Sequence, residues 1–178
     1  MSKKKPSHFV AALLLAACLP IVSFANHPPG NQQPEFTRVT RVEGTIVDVA
    51  VGTPGFTTLV AALTAANLVD TLAGPGPFTV FAPTDAAFAK IPPGILSFLL
   101  SNPDVLANVL LFHVVPGVKD LRFQFFPRDL KTALGQEVFA ERERNELRIN
   151  NSLVQGRVIR TSNGVIYVID SVLQPQFR

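Results

Sequence analysis

The chain has little of what metal and redox chemistry need. Among 178 residues there are one cysteine, one tyrosine, one methionine, no tryptophan and three histidines. A lone cysteine cannot form an intramolecular disulfide, so the fold must stand on its core. His8 and Cys18 lie in the apolar N-terminal stretch and His27 in a proline-rich lead, which leaves His113 as the one imidazole in the folded part. Zinc and copper sites draw mainly on thiolates and imidazoles, so no metal is expected. Nor is there a Gly-x-Ser-x-Gly elbow, a phosphate-binding loop or a Gly-x-Gly-x-x-Gly turn. Carboxylates could still meet in space, which spacing alone does not reveal. The expectation is a protein without cofactor or catalytic centre.

Long apolar runs are also scarce. Lys3, Lys4 and Lys5 precede an apolar run from Phe9 to Ala17 too short to span a bilayer, and Ser23-Phe24-Ala25 places small residues at a cleavage position. Residues 1–25 therefore read as a signal peptide. A second reading uses Leu15-Ala16-Ala17-Cys18, which resembles a bacterial lipobox and would anchor the chain through lipidated Cys18. The apolar Leu19-Pro20-Ile21-Val22 that follows favours cleavage after Ala25. No segment beyond it is long and apolar enough to cross a membrane.

Loss of three lysines from the 16 basic residues leaves 13 against 13 acidic ones. A neutral mature chain has no basic excess to meet a phosphate backbone, so nucleic acid is not an expected partner. About 150 residues remain, ample for one domain.

Residues 26–38 are rich in proline and glutamine and read as a flexible lead. Residues 45–50 fit either a short strand or a helical turn. Thr53 and Pro54 suit the cap and first position of a helix bearing Phe56, Leu59, Val60 and Leu63, which Asn67 ends. One further turn covers residues 68–73. Gly74-Pro75-Gly76-Pro77 then punctuates, residues 78–81 are strand-prone, and Pro83 stops the strand. Thr84 or Asp85 caps the next helix, which carries Phe88. Pro92-Pro93-Gly94 opens another, and Asn102-Pro103-Asp104 supplies cap, proline and acidic first turn for a third, ending near His113.

Beyond Leu121 the period changes to alternation. Gly135-Gln136, Asn145, Asn150-Asn151 and Asn163-Gly164 mark turns. Asn163-Gly164 reads as a two-residue I′ turn with positive φ at both positions. Residues 165–169 are apolar throughout, as in a strand covered on both faces. Helices followed by an antiparallel meander make an α+β domain.

Three stretches together resemble the fasciclin (FAS1) domain family. GPFTVFAPTDAAF at 76–88 and NGVIYVIDSVLQP at 163–175 are similar to its two conserved blocks, and LFHVVPG at 111–117 to its Tyr-His segment. The resemblance covers about 41–175 and implies an α+β wedge, an antiparallel β-sheet core with a helical layer, spanning 39–176. It also implies a secreted or surface-anchored protein associated with cell adhesion, with an extracellular or cell-surface protein or glycan as partner. Some fasciclin-like proteins resemble carotenoid-binding proteins, which leaves an apolar small-ligand (lipid or carotenoid) carrier as the alternative. Two positions depart from the pattern. Phe112 replaces the tyrosine of the Tyr-His pair, and Tyr167 stands where histidine is common. Integrin-type binding is not carried over.

The residues of these motifs are expected to be structural: Phe78, Phe81, Pro83, Thr84, Asp85, Phe88, Phe112, His113, Asn163, Gly164 and Asp170. His113 at a helix C-terminus can bond carbonyls, which is favoured over a role as general base or as part of an adhesive surface. Asp85 reads as a cap before a ligand, and Asp170 should be held by backbone amides or an arginine. The aromatic and basic cluster of Phe123, Phe125, Phe126, Arg122 and Arg128 is the candidate partner-contact surface, because aromatics and arginine are enriched at interface hot spots. The charged run ERERNE at 141–146 reads as a solvated hairpin tip. Asn150-Asn151-Ser152 matches a glycosylation sequon.

Overall fold

The computed structural model describes residues 39–122, 129–143 and 146–175. A three-residue strand, β1 (Val39–Arg41), leads into α1 (Ile46–Gly52). Residues 45–50 thus resolve to helix, and the reason is local. Thr45 Oγ1 accepts from the Asp48 amide while Asp48 Oδ2 accepts from the Thr45 amide, a reciprocal capping box. Thr53 closes α1 instead of opening the next helix, its hydroxyl donating to the Val49 carbonyl at 2.6 Å. Helix α2 (Thr57–Ala65) starts later, after Phe56, and Asn67 ends it with a φ of 53°. Helix α3 (Val69–Ala73) is the expected extra turn.

The next units follow their sequence signals closely. They are β2 (Phe78–Pro83), α4 (Asp85–Ala89), α5 (Pro93–Ser101), α6 (Pro103–Phe112) and β3 (Val114–Pro116). Thr84 caps α4, accepting from the Ala87 amide. Asn102 marks the start of α6, but its side chain serves the preceding helix, Nδ2 donating to the Phe98 carbonyl at 2.7 Å. The meander comprises β4 (Asp129–Lys131), β5 (Glu137–Glu143), β6 (Glu146–Ile149), β7 (Ser152–Arg160) and β8 (Gly164–Ile169).

The sheet runs β3-β2-β8-β7-β6-β5-β4, with β1 beside β7. The meander pairs antiparallel throughout, as its turns require. Its junction with the first half is parallel, β8 lying in register with β2 from Phe78 opposite Gly164 to Pro83 opposite Ile169. Strands far apart in sequence and joined through helices are free to pair this way, which a run of hairpins is not. The β1–β7 pair is parallel too. One hydrogen bond, from the Ala133 amide to the Val114 carbonyl at 2.7 Å, ties the β4 end of the sheet to β3.

Alternation along β2 and β8 divides the core in two. Phe81, Val165, Tyr167 and Ile169 join Phe112, Leu121, Leu130 and Leu147 on one face. Val80, Ala82 and Ile166 join Ile46, Leu59, Leu63, Phe88, Leu106 and Leu110 from the helices on the other. β8 is covered on both sides, which explains its unbroken apolar sequence.

The Asn163-Gly164 turn differs from expectation. Neither residue has positive φ. Gly164 is glycine because β2 comes too close for a side chain: a Cβ there would lie 2.2 Å from the Phe78 carbonyl oxygen.

Candidate functional site

The polar residues of the motif blocks hold backbone groups within the fold. Asp85 follows the Thr84 cap, but its carboxylate reaches back to α2, accepting from the Thr58 amide at 2.7 Å. The Asp85 amide in turn donates to the Gly55 carbonyl at 2.8 Å. Asp85 therefore caps a helix 27 residues upstream of itself. That amide bond holds its carboxyl below the usual range.

Asn163 joins three elements. Its Oδ1 accepts from the Ile46 amide at 2.9 Å, and Nδ2 donates to the carbonyls of Leu72 at 2.7 Å and Gly74 at 3.0 Å. Its own carbonyl accepts from the Phe78 amide, the first residue of β2.

His113 is 2 % exposed. Nδ1 lies 2.7 Å from the Val109 carbonyl, and the Leu173 amide donates to Nε2 at 2.9 Å. A carbonyl needs a donor and an amide an acceptor, so the ring is neutral with its proton on Nδ1. Burial drives the pKa down to about 4, against the hydrogen bond to Val109, which raises it. An imidazole with both nitrogens engaged and no exposure is poorly placed to relay protons.

Tyr167 shows a similar arrangement, and sequence reasoning did not foresee it. Its hydroxyl donates to the Lys119 carbonyl at 3.0 Å and accepts from the Leu121 amide at 2.9 Å. Burial lifts its pKa to about 12. Asp170 sits just past β8, accepting from the Leu153 amide at 2.9 Å and pairing with Lys90 at 3.1 Å. The amide partner matches expectation; the cation is a lysine. Phe78 starts β2 half-buried, Pro83 is the buried residue that ends it, and Phe81, Phe88 and Phe112 are buried in the core.

The candidate contact cluster is only partly visible. Phe123, Phe125, Phe126 and Arg128 lie outside the described residues. Arg122 lies in a turn with its guanidinium on Asp120, which also accepts from Arg160 Nη2 at 3.1 Å. The Arg122 contact holds the Asp120 carboxyl below its ordinary range despite partial burial. Arg142, read as part of a solvated tip, is half-buried and donates from Nη2 to the carbonyls of Leu121 and Arg122, the latter at 2.6 Å. That is a correction. Alternating charge in sequence does not reveal that one side chain folds inward to acceptors 20 and 21 residues away.

Two concave features stand out among the described residues. An open groove of about 1230 Å³ lies between the β4–β5 hairpin, the β6–β7 turn and the segment after β8. Phe112, Phe139, Asn150, Asn151 and Gln174 are among its lining residues. Near β1, an apolar hollow of about 450 Å³ is bounded by Val42, Val49, Ile159 and Val168. Large apolar side chains also stand out on α5, with Ile95 and Phe98 at least half exposed. Among the described residues no group of three or more His, Cys, Asp or Glu is positioned to hold a metal. No single helix there is long and apolar enough to cross a membrane.

The model of the fasciclin domain matches residues 54–175. The chain belongs to the fasciclin domain family. Over 133 residues it is 43 % identical to Protein sll1483 of Synechocystis sp., covering 74 % of this chain and 73 % of that protein. It is 38 % identical over 135 residues to immunogenic protein MPB70 of Mycobacterium bovis, covering 71 % and 66 %. The same figure holds over 137 residues for the transforming growth factor-beta-induced protein ig-h3 of Oryctolagus cuniculus, where the match spans 77 % of this chain but 20 % of that one. The solved FAS1 domain pair of the insect cell adhesion molecule Fasciclin I superposes with a TM-score of 0.63 at 19 % identity, covering 74 % of this chain and 51 % of that chain. At that identity the likeness concerns the fold alone. In this fasciclin domain, Asp85, Asn163, His113 and Asp170 hold the architecture.

Proposed function

We propose that this fasciclin domain is an exported, non-enzymatic binding module that mediates adhesion through extracellular protein or glycan contacts. The observation that carries this reading is the internal use of the motif polar groups. Asp85, His113, Asn163 and Asp170 each hold backbone groups of distant segments. Groups so committed serve rigidity, and rigid elements are what a contact surface needs. The likeness to a protein named as a cell adhesion molecule agrees with it. So does an N-terminal stretch that reads as a signal peptide.

The test uses residues 26–178, immobilised and exposed to cell-surface and matrix preparations, with bound protein and glycan identified by mass spectrometry. Saturable capture that Phe125→Ala or Phe126→Ala weakens supports the reading and places the contact at that segment. Absence of any capture above a blank surface overturns it.

A second reading rests on the apolar hollow beside β1. Its volume of about 450 Å³ falls within the range of small-ligand pockets. A lipid or carotenoid would suit its valine and isoleucine lining. Organic extraction of protein purified from its native source would recover that ligand; a colourless, lipid-free extract removes the reading.

A further inference from the structure

We infer that the groove after β8 is a binding site for a neutral glycan, which deepens the binding-module reading and rests on it. Four separate segments build it. Lys131, Gln136, Glu137 and Phe139 come from the β4–β5 hairpin, Asn150 and Asn151 from the β6–β7 turn, and Phe112 from the end of α6. Ser171 to Pro175 forms the remaining wall.

The lining chemistry selects the ligand. Four residues with carboxamide side chains, Gln136, Asn150, Asn151 and Gln174, line one concavity, and the Asn150 oxygen already accepts from the Phe139 amide. A carboxamide offers two donors and an acceptor in one plane, which matches the paired donor and acceptor character of sugar hydroxyls. Asn151 and Gln174 are exposed. The one lysine and one glutamate cancel, so the groove has no bias towards an acidic or basic partner. Phe139 is 50 % exposed on the lip. Its ring offers a negative face on which the C–H face of a pyranose can stack.

That platform is held in place. The Phe139 amide donates to Asn150 Oδ1 at 2.8 Å, and the Asn150 amide donates to the Phe139 carbonyl at 2.7 Å. Asn150 adopts a φ of 51°, a conformation asparagine tolerates better than most residues. On the opposite wall, the Leu173 amide is fixed by buried His113. A preformed site loses less entropy when it binds. A volume of about 1230 Å³ exceeds what a single sugar ring fills, so the ligand expected is an oligomer.

Titration of residues 26–178 with cellohexaose, mannohexaose and N-acetylchitohexaose, followed by amide NMR, tests this. At least one should shift resonances at Phe139, Asn151 and Gln174 saturably. Phe139→Ala should weaken that sugar about tenfold, the upper range for one aromatic contact. Asn151→Ala and Gln174→Ala should each weaken it with the melting temperature unchanged. Heparin, a polyanion, should not compete. Failure of all three sugars, or binding indifferent to all three variants, overturns the glycan site. If the wild-type protein still captures a surface protein, the groove inference fails while the binding-module reading stands. Peptide capture that the sugars do not displace has the same meaning.

Discussion

The Leu173 amide donates to Nε2 of His113, a contact between residues 60 positions apart that ties the end of the second conserved block to the end of α6. Protonation of Nε2 would set one N–H against another in a site that is 2 % exposed. The folded-state pKa is about 4 against an ordinary 6.5, so between these values the unfolded chain binds more protons. The stability from neutral His113 is therefore complete above about pH 6.5 and is lost as pH falls towards 4, a total of roughly 3 kcal/mol. Urea denaturation at pH 7, 5.5 and 4.5 should show this slope. His113→Leu should be less stable at pH 7 and nearly flat across the window, and an unchanged slope in that variant would remove His113 as its source.

Asp85 and Thr84 are neighbours that cap different helices. Asp85→Ala leaves the Thr58 amide at the start of α2 without its acceptor, whereas Thr84→Ala takes from the Ala87 amide only the hydroxyl at 3.3 Å and leaves it the Thr84 carbonyl at 2.8 Å. Asp85→Ala should cost about 1 kcal/mol in chemical denaturation, and Thr84→Ala less. Hydrogen exchange should separate them: the Thr58 amide loses protection in the first variant and keeps it in the second. Loss at Ala87 and not at Thr58 in Asp85→Ala would mean that Asp85 acts on its own helix.

The contrast between these two residues shows what the sequence made legible. Thr84 belongs to a local pattern, a capping residue before an apolar helix, and local patterns can be read directly. Asp85 sits in the same pattern, but its partner is set by tertiary packing. Asn163-Gly164 fails in the same way: the turn was legible, while the need for glycine comes from β2, a strand 86 positions upstream at Phe78. The parallel β2–β8 pair and the inward turn of Arg142 likewise depend on distant neighbours. The groove unites four segments that no one motif spans, so only residue types could have hinted at it.

Two glycines should respond to alanine for different reasons. At Gly164 the new Cβ would meet a backbone oxygen at 2.2 Å and the Ile46 side chain at 2.8 Å. Backbone in a central strand has little freedom to move, so Gly164→Ala should cost about 3 kcal/mol or more. Gly156 has open space around its Cβ position and a φ of 67°, at an irregularity in β7 pairing. Gly156→Ala should cost about 1 kcal/mol, the strain of a left-handed conformation. Thermal melts of both variants check the order, and equal losses would contradict a packing cause at Gly164.

Tyr167 carries the last test. Its ring packs in the core, with the Phe81 ring centroid 6.0 Å away, and its hydroxyl bridges the Lys119 carbonyl and the Leu121 amide. Tyr167→Phe keeps the ring and removes the bridge, leaving a buried amide without its acceptor. A cost of about 2 kcal/mol is expected, at the level of an unsatisfied buried group. The loss should be local as well as global. Exchange at the Leu121 amide should accelerate more than at the Val80 or Ile166 amides of the central strands, because the hydroxyl holds the 119–121 segment and not the sheet. Uniform acceleration across all three would show that Tyr167 serves the core alone. If the local loss is found, this hydroxyl sets the position of the segment leading into Arg122.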